Sequence, residues 1–264
     1  MIHPTLGDRM KRYEEVFNTS LMRRTPVIIR LDGKAFHTYT RDRKKPVDEN
    51  LSLAMQFATQ YLVKNIQGCK FGYTQSDEIS LLLTDYDTLE TDAWFDNTIQ
   101  KIVSISASYC TLIFNRQLHS LDMLKASYDP KIQIKPPKDA YFDSRAFNLP
   151  REEVCNYFIW RQQDCRKNAI SMAAQANFSH KQLHKMKSGD KIAMLSTVGI
   201  DFETVYPKSF RYGAVYHRKL DDYGMHVRFH TDCDIEIPDF KEDREYINRF
   251  VYSESETDAK QENI

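Results

Sequence analysis

Two short stretches place acidic residues at the ends of apolar runs, "RLDG" from Arg30 to Gly33 and "SDE" from Ser76 to Glu78. Val27 to Leu31 leads into the first, and Ile79 to Leu83 leads out of the second. Carboxylates gathered at strand ends repel one another unless positive charge lies between them, and a divalent cation is the simplest candidate. Mg²⁺ takes oxygen ligands and is typically held by one or two carboxylates plus substrate phosphates. Asp32 and Asp77 could bridge two such ions, Glu78 could orient them, and Gly33 could offer its carbonyl because glycine lets the backbone approach closely. Such a pair of ions activates an attacking hydroxyl and steadies the leaving oxygen of an in-line displacement at phosphorus. Taken singly, each tripeptide is also an ordinary turn, one ending a strand and the other tipping a hairpin.

The elements around them decide whether the acids meet. Val27 to Leu31 reads as a short buried strand between Pro26 and Gly33. Leu51, Ala54, Met55, Ala58, Tyr61 and Leu62 recur at helical spacing, with Asp48 as the cap. Cys69 to Tyr73 and Ile79 to Leu83 form a hairpin pattern around "TQSDE". Ile99, Ile102, Val103, Cys110, Ile113 and Phe114 mark a second helix, and Tyr141 to Phe147 a fourth strand. The order strand, helix, strand, strand, helix, strand is the split βαββαβ, ferredoxin-like plan, of class α+β. In that plan strands one and three lie side by side and antiparallel, which sets Asp32 near Asp77 and Glu78. Beyond Pro150 a long polar helix leads to short helical pieces and two β-like runs, Arg211 to Tyr216 and Met225 to His230. The expected organisation is a catalytic domain over 1–150, a helical and β extension packed on it over 151–230, and an acidic tail over 231–264 whose polar end is disordered.

Composition narrows the class. Of 264 residues 41% are hydrophobic and 28% charged, as in ordinary globular proteins, and no apolar run is long enough to span a bilayer. The start, "MIHPTLGDRM", lacks the pattern of a secretory signal, which points to the cytoplasm. Five cysteines without a C-x-x-C pair argue against a disulfide framework or a zinc site. The 37 basic and 37 acidic residues cancel, yet from Thr231 onward there are 4 basic and 11 acidic residues, so the rest of the chain carries +7. Clusters such as Arg41 to Pro46 and His180 to Lys191 could meet phosphates, or could simply be solvated surface.

"RLDGKAFHTYTR", "KPVDE" and "GYTQSDEISLLL", followed by "AYFDSRAFNLP", "NYFIWRQQDCRKNAI" and "FSHKQLHKMKSGDKIAML", resemble the tRNA(His) guanylyltransferase superfamily over roughly residues 5 to 218. Its members extend RNA at the 5′ end, in the 3′-to-5′ direction. The resemblance implies a polymerase-like palm on the ferredoxin-like plan, with two Mg²⁺ ions on Asp32, the Gly33 carbonyl and Asp77, and Glu78 and Ser76 beside them. It places Lys34, Phe36 and His37 at a nucleotide near the metals, ties Lys45 and Asp48 to activation of the RNA end, and makes Lys101 a contact for an incoming triphosphate. Arg161, Asp164 and Asn168 share one helix face and, with Lys191, would meet RNA or triphosphate. On their own types Phe36 is a core aromatic and His37 a surface histidine. The implied partners are tRNA, ATP, GTP or other nucleoside triphosphates, and further copies of the chain in a homotetramer.

Two departures bear on substrate. Eukaryotic members carry "HINN" after the "WRQxDC" stretch, whereas this chain reads "RKNA" with Arg166 in the histidine's place. An arginine-rich patch before Lys101 is replaced by "DNTIQ". Both fit the guanylyltransferase-like branch that repairs truncated tRNA 5′ ends by template pairing, with strict guanylate addition to tRNA(His) as the alternative. More distant readings are a palm-type nucleotide cyclase and a non-catalytic RNA-binding module on the same plan.

Overall fold

The computed structural model describes residues 4–129, 138–222 and 227–252. Six strands, β1 Val27–Gly33, β2 Cys69–Gln75, β3 Glu78–Leu83, β4 Phe142–Asn148, β5 Ala214–Asp222 and β6 Val227–Asp234, form one antiparallel sheet in the order β4-β1-β3-β2-β5-β6. The helices are α1 Leu6–Glu15, α2 Phe36–Tyr39, α3 Glu49–Asn65, α4 Ile99–Tyr128, α5 Arg151–Asn177, α6 His180–Leu183, α7 Ser188–Thr197, α8 Phe202–Val205, α9 Lys208–Tyr212 and α10 Glu245–Asn248. The class is α+β, as the sequence pattern requires, and β4-β1-β3-β2 is the split βαββαβ order.

Both faces of the sheet are covered at its centre, which explains why β1, β2 and β3 are buried along most of their length. Val27, Ile29 and Leu31 of β1 point into a core shared with Ala54, Ala58 and Leu62 of α3 and Ile102, Cys110 and Phe114 of α4. Ile28 points the other way, with Phe71, Tyr73 and Leu82, against Val154, Tyr157 and Phe158 of α5. Alternation along each strand thus feeds two cores. Asp48 caps α3, its carboxylate accepting from Leu51 N–H at 3.0 Å.

The chain beyond residue 150 completes this core. β5 pairs with β2, and Ile237, Phe240, Tyr246, Ile247 and Val251 are buried with Phe71 and Phe158. The segment after Thr231 is therefore a packed part of the domain up to Tyr252, because its apolar residues outweigh the acidic ones around them, while its expected disordered end, 253–264, lies outside the described residues. The run expected to begin a strand at Arg211 is helical to Tyr212, and β5 starts at Ala214. Gly213 makes the change of direction at φ 87°, where a Cβ would meet the Tyr73 ring at 2.5 Å.

α1 was not anticipated. Thr5 and Asp8 close a capping box at its start, and none of its residues is buried. Leu6, Met10 and Tyr13 lie exposed along one side. Among the described residues no helix is long and apolar enough to cross a membrane.

Candidate active site

β1 and β3 pair so that Asp32 stands opposite Glu78, and the Gly33 N–H donates to the Asp77 carbonyl at 3.0 Å. Ser76 and Asp77 form the two-residue tip between β2 and β3, with Ser76 in the left-handed region at φ 50° and its hydroxyl bonding the Asp77 carboxylate at 3.0 Å. The acids anticipated from the topology therefore do meet. Glycine at 33 has a steric reason as well: a Cβ there would lie 2.1 Å from Cδ2 of Phe36. That ring cannot swing aside, since it packs on Phe114 and Phe142 at centroid distances of 5.6 and 5.5 Å.

Much of the positive charge among these acids comes from three arginines, of which the motifs pointed only to Arg161, and to that one as an RNA or triphosphate contact. Arg30 Nη2 bonds Asp32 at 2.9 Å and approaches Glu78 at 3.0 Å. Arg161 reaches down from α5 to Glu78 at 2.7 Å and to Asp164 at 2.8 Å. Arg145 of β4, whose register places it opposite Arg30, stands 3.1 Å from Asp32. Arg30 had a visible signal, because residues two apart on a strand share a face. The pairing of Arg161 with Glu78 had none, because only the docking of α5 buries that side chain there.

The environment separates the carboxylates. Glu78 is buried, which raises its pKa although Arg161 and Arg30 oppose the rise, and Ser80 donates to it at 3.3 Å. Burial likewise raises Asp77 above the ordinary carboxylate value; Ser76 resists this, and the negative charge of Asp32 adds to it. Asp32 Oδ2 is buried and accepts no hydrogen bond, Arg145 being near but not aligned for one. An unsatisfied carboxylate oxygen, a second desolvated carboxylate and a glycine backbone at the same strand end are donors that suit Mg²⁺, which needs few protein ligands. Among the described residues no group of three or more His, Cys, Asp or Glu side chains is arranged to hold a metal ion.

Beside Asp77 opens a cavity of about 570 Å³ between the start of α3, the β2–β3 tip, the second half of α5 and α9. Phe36, His37, Lys45, Asp48, Ser76, Asp77 and Asn168 all line it. Arg43, on the same loop, is fastened to Asp122 of α4 by two bonds of 2.8 and 2.6 Å. Phe36 contributes from within its aromatic cluster, so the core reading and the lining position both hold for it. His37 and Lys45 are exposed at the rim, and Lys34 is exposed just past the end of β1.

Several expected residues are elsewhere or otherwise engaged. Lys101 lies in the first turn of α4, near the Phe95 ring, where β1 begins and β3 ends. It is 21 residues before Asp122, roughly 30 Å along the helix axis, so one chain does not bring it to the carboxylates. Arg161 is buried in ion pairs and offers no free surface to a phosphate; the polar face it shares with Asp164 looks onto Glu78. Lys191 donates to Ser171 at 2.9 Å and fastens α7 to α5. Arg166 pairs with Glu203 and lies over Tyr212, holding α8 and α9 against α5.

Relatives bear on the same segments. The family model described as tRNAHis guanylyltransferase, Thg1, matches residues 7–150. Two solved structures, described as a bacterial tRNA(His) guanylyltransferase (Thg1)-like protein in complex with ATP and with GTP, are similar at 42% and 40% identity. Each covers 94% of this chain and 100% of its own, with TM-scores of 0.79 and 0.78. The tRNA(His) guanylyltransferase of Schizosaccharomyces pombe is 26% identical over 233 residues, 82% of either chain. With its paired strand-end acids, its sheet order and this match over more than half its length, the chain belongs to the tRNA(His) guanylyltransferase family of nucleotidyltransferases.

Proposed function

We propose that the protein is a 3′-to-5′ nucleotidyltransferase that adds nucleotides to the 5′ end of tRNA, chiefly to repair truncated ends by template pairing. The observation that carries this reading is the meeting of Asp32 and Asp77 across β1 and β3 beside a cavity rimmed by His37 and Lys45. The ATP and GTP complexes of the bacterial structures support nucleotide as the occupant of that cavity. A 5′ monophosphate is first adenylylated: its oxygen attacks the α-phosphorus of ATP and pyrophosphate leaves. The 3′ hydroxyl of the incoming nucleotide then attacks the activated 5′ phosphorus, forming the new ester and expelling AMP.

Asp32, Asp77 and the Gly33 carbonyl would hold Mg²⁺. When bound it lowers the proton affinity of the attacking hydroxyl and neutralises charge on the phosphates. Lys45 and His37 bind phosphate at the rim, and Lys45 serves the adenylylation step. Arg161 and Arg30 hold Glu78 in place, while Asp32 keeps one carboxylate oxygen without a hydrogen bond to offer an ion. The sheet with its covering helices serves as the palm. Self-association, with a homotetramer as the assembly, belongs to the same reading, since α1 leaves an apolar stripe that a second copy would cover.

Strict guanylate addition to tRNA(His) is the second reading, favoured by the description of the family model. Against it, Arg166 replaces the eukaryotic histidine and is paired with Glu203. A repair enzyme needs mostly phosphate contacts, with the RNA supplying the base pairing. The deciding experiment is nucleotide addition to 5′-truncated tRNA(His) and two unrelated truncated tRNAs, each with original and swapped anticodons. Extension of all by the complementary base, little changed by the swap, is expected. Activity confined to tRNA(His) and lost on the swap would restore the strict function.

A further inference from the structure

One large aromatic beside the carboxylates has no place in the core. Trp160, on α5, is 52% exposed, unusual for the residue type with most apolar surface to hide. Its exposure is not slack. The Arg161 guanidinium lies 3.8 Å from its ring centroid, and Tyr157 meets it edge-on at 5.9 Å, so the indole is held from the protein side by groups that are themselves buried. Arg30 stands 5.9 Å from the same ring and 2.9 Å from Asp32, which links the indole to the reaction centre through one side chain.

Trp160 sits to one side of the α5 face that lines the cavity. Phe158 faces Phe71 and Tyr73 of β2, whereas Tyr157 meets Ser80 of β3 and Phe147 of β4, and Trp160 sits beside Arg30 of β1. Trp160 is therefore on the flank toward the edge strand β4, and it does not line the cavity, which draws on Cys165, Asn168 and Met172 farther along the helix. Half-exposed Arg145 of β4 lies on that flank as well, against Asp32. An exposed ring held rigidly beside a half-exposed arginine is an arrangement that proteins use to stack bases and follow a phosphate backbone.

We propose that Trp160 is a stacking platform for the nucleobase at the growing RNA end, on the flank of Asp32 away from the cavity. The base belongs to the RNA terminus or to the nucleotide being added. This rests on the nucleotidyltransferase reading above and assigns it a base-binding residue.

The chain has two tryptophans, and Trp94 is buried, so a Trp94→Phe protein reports Trp160 by fluorescence. It is titrated with a 5′-phosphorylated acceptor-stem hairpin, with the same hairpin made abasic at its 5′ terminal residue, with GTP, and with tripolyphosphate. Quenching by the hairpin but not its abasic form assigns the base to the RNA; quenching by GTP but not tripolyphosphate assigns it to the incoming nucleotide. Trp160→Ala should weaken the base-bearing ligand about tenfold or more and leave the base-free one unchanged, with Trp160→Phe close to wild type. Equal quenching with and without a base, or equal affinity of wild type and Trp160→Ala, would overturn the assignment. So would loss of self-association in Trp160→Ala with RNA affinity intact, which would make the ring a protein contact. Wild type that extends the hairpin while Trp160→Ala binds it equally well refutes only the stacking role; wild type that binds neither RNA nor GTP refutes the functional reading with it.

Discussion

Arg161 and Glu78 form a buried ion pair at 2.7 Å, with 3% and 6% of their side chains exposed, joining α5 to the sheet at the reaction centre. Removing one member leaves the other charged and desolvated, at a cost of about 3 kcal/mol or more. Arg161→Ala should lower stability by that order in urea denaturation at pH 7. Burial already holds the Glu78 pKa above its unfolded value, and loss of Arg161 raises it further. The variant's deficit is therefore full above the variant's own, higher Glu78 pKa, and it shrinks as pH falls through that pKa toward the wild-type one. A deficit that grows toward acid would contradict the pairing.

Asp32 and Asp77 should respond differently to removal. Asp32 is the partner of Arg30 and lies against Arg145, so Asp32→Ala removes one of the two carboxylates beside each guanidinium and should lower the melting temperature. Repulsion among the acids alone would have predicted a rise. Asp77 is different: its folded pKa is raised, so its charge opposes folding fully above that pKa and ceases to as pH falls through it. Asp77→Asn should be more stable than wild type at pH 8, with the gap closing toward pH 4. Both variants should lose about 100-fold or more in nucleotide addition. Opposite thermal shifts, read by calorimetry, are the test.

Magnesium supplies a readout that does not depend on turnover. A ligand that binds only the folded chain raises its melting temperature. Added Mg²⁺ should stabilise wild type, and the increment should vanish in Asp77→Asn. It should also weaken as pH falls, since the raised pKa of Asp77 makes a proton compete with the ion. An unchanged increment in Asp77→Asn would place the metal elsewhere.

Gly33→Ala should be far more damaging than an alanine at a strand end usually is, because its Cβ would sit inside the Phe36 ring. Overpacking of this kind costs about 1–3 kcal/mol. Replacing Phe36 with leucine in the same chain should recover much of the stability, which equilibrium denaturation of the two variants would show. No recovery would mean that glycine is required for another reason.

Lys45→Ala should impair addition to RNA with a 5′ monophosphate more than to RNA with a 5′ triphosphate, which arrives already activated. Parallel rate measurements on the two substrates separate the steps, and equal losses would move Lys45 to general phosphate binding.

The strand-end acids and the order of elements were legible along the chain. A period of two assigns Ile29 and Leu31 to one face of β1 and Ile28 to the other, and the βαββαβ order obliges strands one and three to be neighbours, so Asp32 had to meet the β2–β3 tip. The cap at Asp48 and the helix behind it followed from local chemistry as well. What neutralises the acids was decided in three dimensions. Arg161 is 83 residues from Glu78, and only the seating of α5 over β3 turns a polar helical residue into a buried partner. Lys101 shows the reverse: the resemblance makes it a contact for an incoming triphosphate, while α4 carries it to the end of the sheet opposite the acids. Sequence spacing governs what lies within a strand or one helical turn. Where a helix face lands depends on the packing of side chains from several distant segments, and here that packing decides which charges of the site are free.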